Sequence, residues 1–287
     1  MKIESVLIYP NEHRPVSDAD FARVRDELQK LHCRLSTTDR AHASETVAYE
    51  PPETAFAHCD AAITLGGDGT ILAAAHYAKE TNTPLLGINF GTLGYMSELE
   101  VGECGLLSGL RDAKIEERML LDVDLFDRNG VLTGKGLALN EVSICREKPG
   151  TMIRLTLCCD GTPVSSYRAD GMLVSTPTGS TAYNLSAGGP IIDPKMNALC
   201  VCPLAPHTLS AIRPIVFSPD AELEITAEGN AAAAADSTMM NVPAGFCRLR
   251  VRRSAQVIRL LKLKHAGFCE VLMNKMTVPK QEREDKR

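Results

Sequence analysis

The strongest constraint in this chain is a handover. The apolar run from Ala61 to Leu65 passes directly into Gly66-Gly67-Asp68-Gly69-Thr70, and an alanine-rich stretch from Ile71 to Lys79 follows. The short apolar run reads as a strand, the glycines as a tight turn and the alanines as a helix. Strand, glycine turn and helix in this order predict a parallel sheet with ligands at the carboxyl ends of its strands. Glycines at such a turn expose backbone N–H groups at a helix N-terminus, where phosphates are attracted. A carboxylate adds nothing to an anion site, so Asp68 must accept a hydroxyl proton, bind Mg²⁺ or hydrogen-bond a ribose. A tight turn with Asp68 capping the next helix is the plain structural alternative.

Residues 3 to 9 alternate as a strand, and Ser17 opens a helical segment with Phe21, Val24, Leu28 and Leu31 on one face. Ser17 with Asp20 resembles a capping box. Pro84 to Asn89 adds another apolar strand before Gly91 and Gly94. Near Arg118 the texture changes to alternating runs broken by the hairpin signals Asn129-Gly130, Gly134-Lys135-Gly136 and Asp160-Gly161, with little helical periodicity before Ser180. Ala221 to Thr226 and Phe246 to Val251 continue that texture. Ala231 to Ala235 favours helix by propensity, but its surroundings read as strands and context assigns it to one. The pattern predicts an α/β N-terminal domain over 1–117, Rossmann-like with a parallel sheet, and a β-rich, β-sandwich-like domain over 118–255. No repeat appears at solenoid periods of roughly 20 to 50 residues.

Charge narrows the partners. A formal net charge of -5 and the absence of a long Lys/Arg run argue against nucleic acid. The charge-dense stretch from Pro279 to Arg287 mixes both signs and reads as a disordered, solvated tail over 279–287. The N-terminus reads as a strand and not as a signal peptide. No apolar run approaches the roughly 20 residues that span a bilayer, so no membrane association and a cytoplasmic location are expected. The ten cysteines contain no C-x-x-C pair; Cys158 and Cys159 face opposite sides of a strand, and Cys200 and Cys202 share a face. Small buried hydrophobes in a reducing compartment explain them, with no structural metal and no disulfide.

A second block, Tyr167 to Pro190, crowds the hydroxyls of Thr176, Thr178, Ser180 and Thr181 around Pro177 and Gly179, which suits a non-helical loop that hydrogen-bonds a ligand. Thr181-Ala182-Tyr183 then enters a helix and sets the Tyr183 ring to stack on a base, core packing being the alternative. Asn140 and Glu141 place an amide beside a carboxylate, a set for gripping a ribose diol or an adenine edge; a simple polar turn is the alternative. Gly179-Ser180-Thr181 lacks the flanks of a hydrolase elbow. The Gly-x-Gly-x-x-Gly fingerprint fails at Leu72.

Gly-Gly-Asp-Gly-Thr after an apolar strand resembles the signature shared by NAD kinases, diacylglycerol kinases and sphingosine kinases, with phosphofructokinases as relatives. The block from Tyr167 to Pro190 closely resembles the long motif of NAD kinases in particular. Asn140-Glu141, the stretch from Cys202 to Ser210 and Arg213-Pro214 match in the same order, so the resemblance runs from about residue 60 to about residue 250. It implies transfer of the γ-phosphoryl group of a nucleoside triphosphate, Mg-ATP, to the adenosine 2′-hydroxyl of NAD, with Asp68 as proton acceptor. It further implies Gly67, Gly69 and Thr70 around the triphosphate, and Asn140, Glu141, Arg168, Asp170, Thr178, Thr181, Ala182, Tyr183 and Ser186 on the substrates. Arg168 is a candidate for phosphate or neighbouring-subunit contact.

The same resemblance implies NAD and ATP as substrates, with a divalent cation (Mg²⁺ or Mn²⁺) bound mainly through nucleotide phosphates. It implies a homodimer or tetramer, and a segment over 256–278 that returns to the N-terminal domain. The chain departs from the pattern twice. Thr151 stands where a basic residue or histidine is frequent, and Asp236-Ser237-Thr238 replaces an Asp-Gly-Gln-like triplet. Both positions read as peripheral contacts, and His207 reads equally well as a packed or capping histidine. A lipid or sphingoid kinase shares the glycine loop, but no membrane-seeking surface accompanies it here. A non-catalytic NAD or NADP sensor would have no need of Asp68.

Overall fold

The structure, a computed structural model, describes residues 2–91, 94–208, 212–264 and 267–277. The charged tail at 279–287, together with Leu209 and Ser210 of the Cys202 to Ser210 stretch, lies outside the described residues. The chain forms two compact units: Met1–Glu117 with the chain from Ile258 onward, and Arg118–Val257.

In the first unit, strands Val47–Tyr49, Arg34–Thr37, Ser5–Pro10, Ala61–Gly66 and Leu85–Asn89 pair in that order, all parallel. Val6, Leu7 and Ile8 are fully buried, as are Ala61, Ala62 and Ile63, because a parallel sheet is covered on both faces and its strands lose the in-out alternation. On one face Val6, Ile8 and Ile63 share a cluster with Phe21, Val24 and Leu28 of helix Asp18–Gln29, and with Leu107 and Leu110 of the 3-10 helix Val101–Asp112. On the other, Tyr9 meets Phe56 of helix Pro52–His58 at 5.6 Å, and Phe56 stacks on Tyr77 of helix Asp68–Thr81 at 5.5 Å.

The ends of these helices follow their sequence. Ser17 Oγ accepts the Asp20 N–H as an N-cap and donates to the Asp20 carboxylate, so the capping-box pattern is met in its N-cap half, with the carboxylate on the hydroxyl and not on the Ser17 N–H. Asn82, left-handed at φ 59°, ends the helix of the glycine loop. Glu98, buried, receives the N–H groups of Leu263 (2.7 Å) and Lys264 (2.6 Å) and pairs with Lys262, while Leu260 pairs in parallel with Leu85.

The second unit is built from two antiparallel sheets. One pairs Thr162–Ala169, Ile153–Cys159, Leu223–Glu228 and Phe246–Lys262. The other runs Ile215–Phe217, Leu199–Leu204, Gly171–Ser175, Glu141–Arg146, Ala231–Ala235 and Thr238–Met240. Leu155, Leu157, Ile225 and Leu249 of the first and Val142, Ile144, Val174 and Val201 of the second fill a single core, the signature of a sandwich. The mixed α/β and β-rich fold class expected from the sequence is therefore present.

Three local readings are settled by packing. Asp160 (φ 50°) and Gly161 (φ 76°) make the expected hairpin turn, and Ala231–Ala235 is a strand because it is paired on both edges and buries Ala233 and Ala235 in the core. Gly134-Lys135-Gly136 is not a turn; it lies inside strand Leu132–Ala138, paired with Leu125, Asp124 and Val123. A Cβ on Gly136 would lie 2.8 Å from Val123 Cγ1 and 3.0 Å from Ala235 Cβ, so the glycine marks close packing and not a reversal. The strand that opens at Phe246 also runs on past Val251, to Lys262.

Leu249 is fully buried in the sandwich core. Leu249→Ala is expected to cost about 2–5 kcal/mol by loss of transfer energy and creation of a cavity, read as a lowered denaturant midpoint for the second unit. A variant as stable as the wild type would contradict the shared core.

Candidate active site

Strand Ala61–Gly66 delivers the glycine turn, and helix Asp68–Thr81 begins at once, with Gly67 as its cap. Gly66 leaves room for Thr70, whose Oγ1 would stand 2.1 Å from a Cβ there. Thr70 is itself buried, and its hydroxyl accepts a hydrogen bond from Asn11 Nδ2 at 2.7 Å. Asn11 also receives the N–H groups of His13 and Arg14, both at 2.8 Å, and so ties the loop after the first strand to the glycine turn. A cleft of about 510 Å³ opens here, lined by Arg14, Gly67, Gly69, Thr70, Asn89 and Gly91 among others. Asn89 Nδ2 donates to Gly91 O, while its buried Oδ1 has no hydrogen-bond partner.

The Asp68 carboxylate accepts the Tyr95 N–H at 2.7 Å, the Met96 N–H at 3.1 Å and the Ser97 hydroxyl at 3.3 Å. A carboxylate offers about four lone-pair sites, so one stays open. Gly94 makes this seat possible, since a Cβ on it would lie 1.9 Å from Asp68 Oδ1. Asp68 is thus more than a helix cap. It joins the glycine turn to the chain segment after Leu85–Asn89.

In the second unit, Asn140 and Glu141 sit at the entry of strand Glu141–Arg146. The N–H groups of Leu139, Asn140 and Glu141 all converge on the Asp236 carboxylate, at 2.8, 2.8 and 3.1 Å. Thr176 holds the other side: its hydroxyl donates to Leu139 O at 2.6 Å and its N–H to Asn140 O at 2.8 Å. Gly179 presses against the same carbonyl, and a Cβ there would lie 2.0 Å from Asn140 O. Burial, then the like charge of Asp236, push the Glu141 carboxyl up to about 7, opposed by a hydrogen bond from the Tyr183 N–H.

A second cleft, about 550 Å³, is lined by Cys145, Arg146, Asp170, Tyr183, Ser186 and Leu204 among others. Asp170 stands where the chain leaves one sheet, at Ala169, and enters the other, at Gly171. Arg146 grips it through Nε at 2.7 Å and Nη2 at 3.2 Å, and that hydrogen bonding holds the Asp170 carboxyl below its usual range. Tyr183 opens the short helix Tyr183–Ser186 with its side chain 44% exposed, which rules out core packing.

The structure thus gathers Asp170, Tyr183 and Ser186 at one cleft and seats Glu141 against the Tyr183 backbone. Arg168 is not among that lining: it is exposed on strand Thr162–Ala169, paired opposite Arg154, with its carbonyl taken by the His207 N–H. The hydroxyl-rich stretch is not an open loop. Thr178–Thr181 is a 3-10 turn; Thr176 and Ser180 are fully buried and spend their hydroxyls on protein carbonyls, and Thr181 bonds Thr178 O. Thr178 is buried, and Thr181 and Ala182 are half-buried beside Tyr183. Thr151 only closes a turn on Lys148 O.

Asp236 is a correction. The triplet it opens reads as peripheral in sequence, but it lies beneath the Asn140–Glu141 turn. Arg146 is a site residue that the sequence does not single out. Its only signal there is a cation at the end of an alternating strand.

As to a metal, no group of three or more His, Cys, Asp or Glu side chains is placed to hold an ion among the described residues. With Asn89 Oδ1 as an unpartnered oxygen in the lining of the glycine-loop cleft, the site fits a cation carried by phosphates better than a protein cage. No helix among the described residues is long and apolar enough to cross a membrane.

Comparison with known proteins agrees with this architecture. Residues 16–105 match the family model of the ATP-NAD kinase N-terminal domain, and residues 139–263 that of the ATP-NAD kinase C-terminal domain. An NAD kinase of Corynebacterium diphtheriae is 39% identical over 96% of this chain and 91% of its own. One from Methylococcus capsulatus is 39% identical over 93% of this chain and 98% of its own. Among solved structures, an Archaeoglobus fulgidus NAD kinase in complex with ATP superposes with a TM-score of 0.73 at 26% identity, covering 93% of this chain and 98% of that one. A yeast NADH kinase complexed with NADH shares the fold, with a TM-score of 0.82 at 22% identity over 96% of this chain and 87% of that one. The chain belongs to the ATP-NAD kinase family.

Gly179→Ala would drive a methyl into the Asn140 carbonyl. It is expected to destabilise the second unit by about 1–3 kcal/mol, as overpacking does, seen as a lower midpoint in chemical denaturation. An unchanged midpoint would show that the turn yields without cost.

Proposed function

We propose that the chain is an NAD kinase that uses Mg-ATP and makes NADP. The observation that carries this reading is the Asp68 carboxylate, fixed by the 95–97 segment at a helix N-terminus beside a glycine-lined cleft, with one lone-pair site open. The family match and relatives that are themselves NAD kinases support it.

In the proposed step, the adenosine 2′-oxygen of NAD forms a bond to the γ-phosphorus while the bond from that phosphorus to the β,γ-bridging oxygen breaks. ADP leaves, and the hydroxyl proton passes to Asp68. Phosphoryl transfer has a loose transition state, so holding the hydroxyl in line and neutralising charge count for more than early proton removal. Gly67 and Gly69 keep the approach to the helix N-terminus free of side chains for the triphosphate, and Thr70 holds the turn through Asn11. A divalent cation, when bound, would neutralise phosphate charge and would be held mainly through the phosphates, which leaves the open site of Asp68 to the hydroxyl.

Asn140 and Glu141 grip ribose hydroxyls or an adenine edge. Asp170, held by Arg146, with Tyr183 and Ser186, takes the flat and polar parts of the dinucleotide. Thr178, Thr181 and Ala182 shape the wall that carries Tyr183, and Arg168 serves phosphate or a neighbouring subunit from outside this cleft. We assign the glycine-loop unit to the triphosphate and the β-rich unit to NAD. A cytoplasmic homo-oligomer, dimer or tetramer, acting on small molecules and not on nucleic acid or membrane, completes the proposal.

Purified protein with NAD, ATP and Mg²⁺ is expected to form NADP, counted with an NADP-specific dehydrogenase. Asp68→Asn is expected to lower the rate by about 10²–10⁴, the range for loss of a positioned base. Wild-type protein that binds NAD but makes no NADP with any triphosphate would overturn the reading.

A further inference from the structure

Asp236 occupies an unfavourable backbone conformation and a half-buried position at once. It is left-handed, φ 49°, in the two-residue turn between Ala231–Ala235 and Thr238–Met240, where glycine would be free of strain. Burial raises the cost of its charge. What offsets both is the converging set of amides from Leu139, Asn140 and Glu141, and the Asp236 N–H returns a bond to Glu141 O at 2.9 Å. With Thr176 on Leu139 O and Asn140 O, every backbone N–H and C=O from Leu139 to Glu141 has a partner. The directions of the Asn140 and Glu141 side chains follow from that clamp.

Glu141 is the unsatisfied member of the group. One of its oxygens, Oε2, is buried with no hydrogen-bond partner. The groups that face it are the Asp236 carboxylate from the hairpin turn and the Tyr183 N–H from the short helix; Cys145 and Asp170, the latter paired with Arg146, lie further along the same wall around the Tyr183 phenol. An acceptor left open beside a second carboxylate is ready for hydroxyl donors, and a ribose diol supplies two.

We propose that Asp236 is a positioning residue of the acceptor-nucleotide site: its carboxylate shapes the Leu139–Glu141 turn, and its charge makes the hold of Glu141 on ribose hydroxyls weaken as the solution turns acid. This rests on the reading that Asn140 and Glu141 bind NAD. Glu141 accepts hydroxyl hydrogen bonds fully only when ionised. Its carboxyl stands at about 7, so the hold is complete well above neutrality and fades below it. Removing the like charge moves that fading to lower pH.

Calorimetric titration of NAD alone into the full chain, from pH 5.5 to 8.5, tests this without ATP, whose own phosphate titrates in the range. Wild-type affinity is expected to be about tenfold weaker at pH 6 than on its alkaline plateau, as one ionisation near 7 requires. Asp236→Asn is expected to weaken NAD at pH 8 and to move the midpoint of the acid loss down by about half a pH unit or more. Asp236→Gly, which relieves the left-handed backbone but removes the acceptor of the three amides together with the charge, is expected to move it the same way. Thr176→Val, which loosens the clamp but leaves the charge, is expected to weaken NAD with the midpoint in place.

If neither Asp236 variant moves the midpoint, the proposal is overturned. Glu141→Gln separates that failure from failure of the underlying reading. It is expected to abolish the pH dependence. If it leaves both NAD affinity and the pH dependence unchanged, Glu141 does not bind NAD and both fall together.

Discussion

A carboxylate taken out of water has to be met by donors, and when no cation is near, the donors are backbone amides that only one loop shape can supply. Each unit of this chain contains such an arrangement at its candidate site. Asp236 gathers the N–H groups of Leu139, Asn140 and Glu141; Asp68 gathers those of Tyr95 and Met96 with the Ser97 hydroxyl. In both, the aspartate fixes a stretch of chain distant in sequence, and the side chains proposed to touch substrate are carried on the fixed parts. The two differ in what is left over. Asp68 is itself the group proposed to meet the substrate, while Asp236 turns toward the chain and its neighbour Glu141 holds the buried oxygen without a partner.

The frames behind these clamps impose a division of chemistry. A parallel sheet buried on both faces exposes function only at strand ends, where helix N-termini favour negative charge. That suits the glycine turn after Ala61–Gly66 to phosphate. An antiparallel sandwich instead offers edges and corners, and Asp170 sits at the point where the chain changes sheets. There it meets Arg146 and Tyr183, groups suited to hydroxyls and flat rings. Space is set by absent side chains: Gly94 admits the Asp68 carboxylate and Gly179 admits the Asn140 carbonyl.

Much of this is legible in the residues, wherever the cause is local. The capping by Ser17, the Asp160-Gly161 turn and the handover from strand to glycine turn to helix are decided within a few residues. The alanine strand Ala231–Ala235 follows from its neighbours. Gly134-Lys135-Gly136 misleads because glycine marks close packing as well as reversal, and only the contacts of Gly136 with Val123 and Ala235 separate the two. Asp236 and Arg146 stay hidden because their partners lie far along the chain, at 139–141 and at Asp170. Nothing in a run of alanines announces that the aspartate after it will sit beneath another turn. The hydroxyls of Thr176 and Ser180 look like ligand contacts for the same reason: sequence shows a donor, and only packing shows that a carbonyl has already taken it.

The account stands on the assignment of NAD to the Glu141–Tyr183 wall and of the triphosphate to the glycine turn. Amide hydrogen exchange followed by mass spectrometry tests it directly. Saturating NAD is expected to slow exchange in peptides covering 181–187, whose short helix is exposed, while Mg-ATP alone slows those covering 66–71 and leaves 181–187 as they were. Slowing at 181–187 by Mg-ATP, or none there with NAD bound, would contradict the assignment.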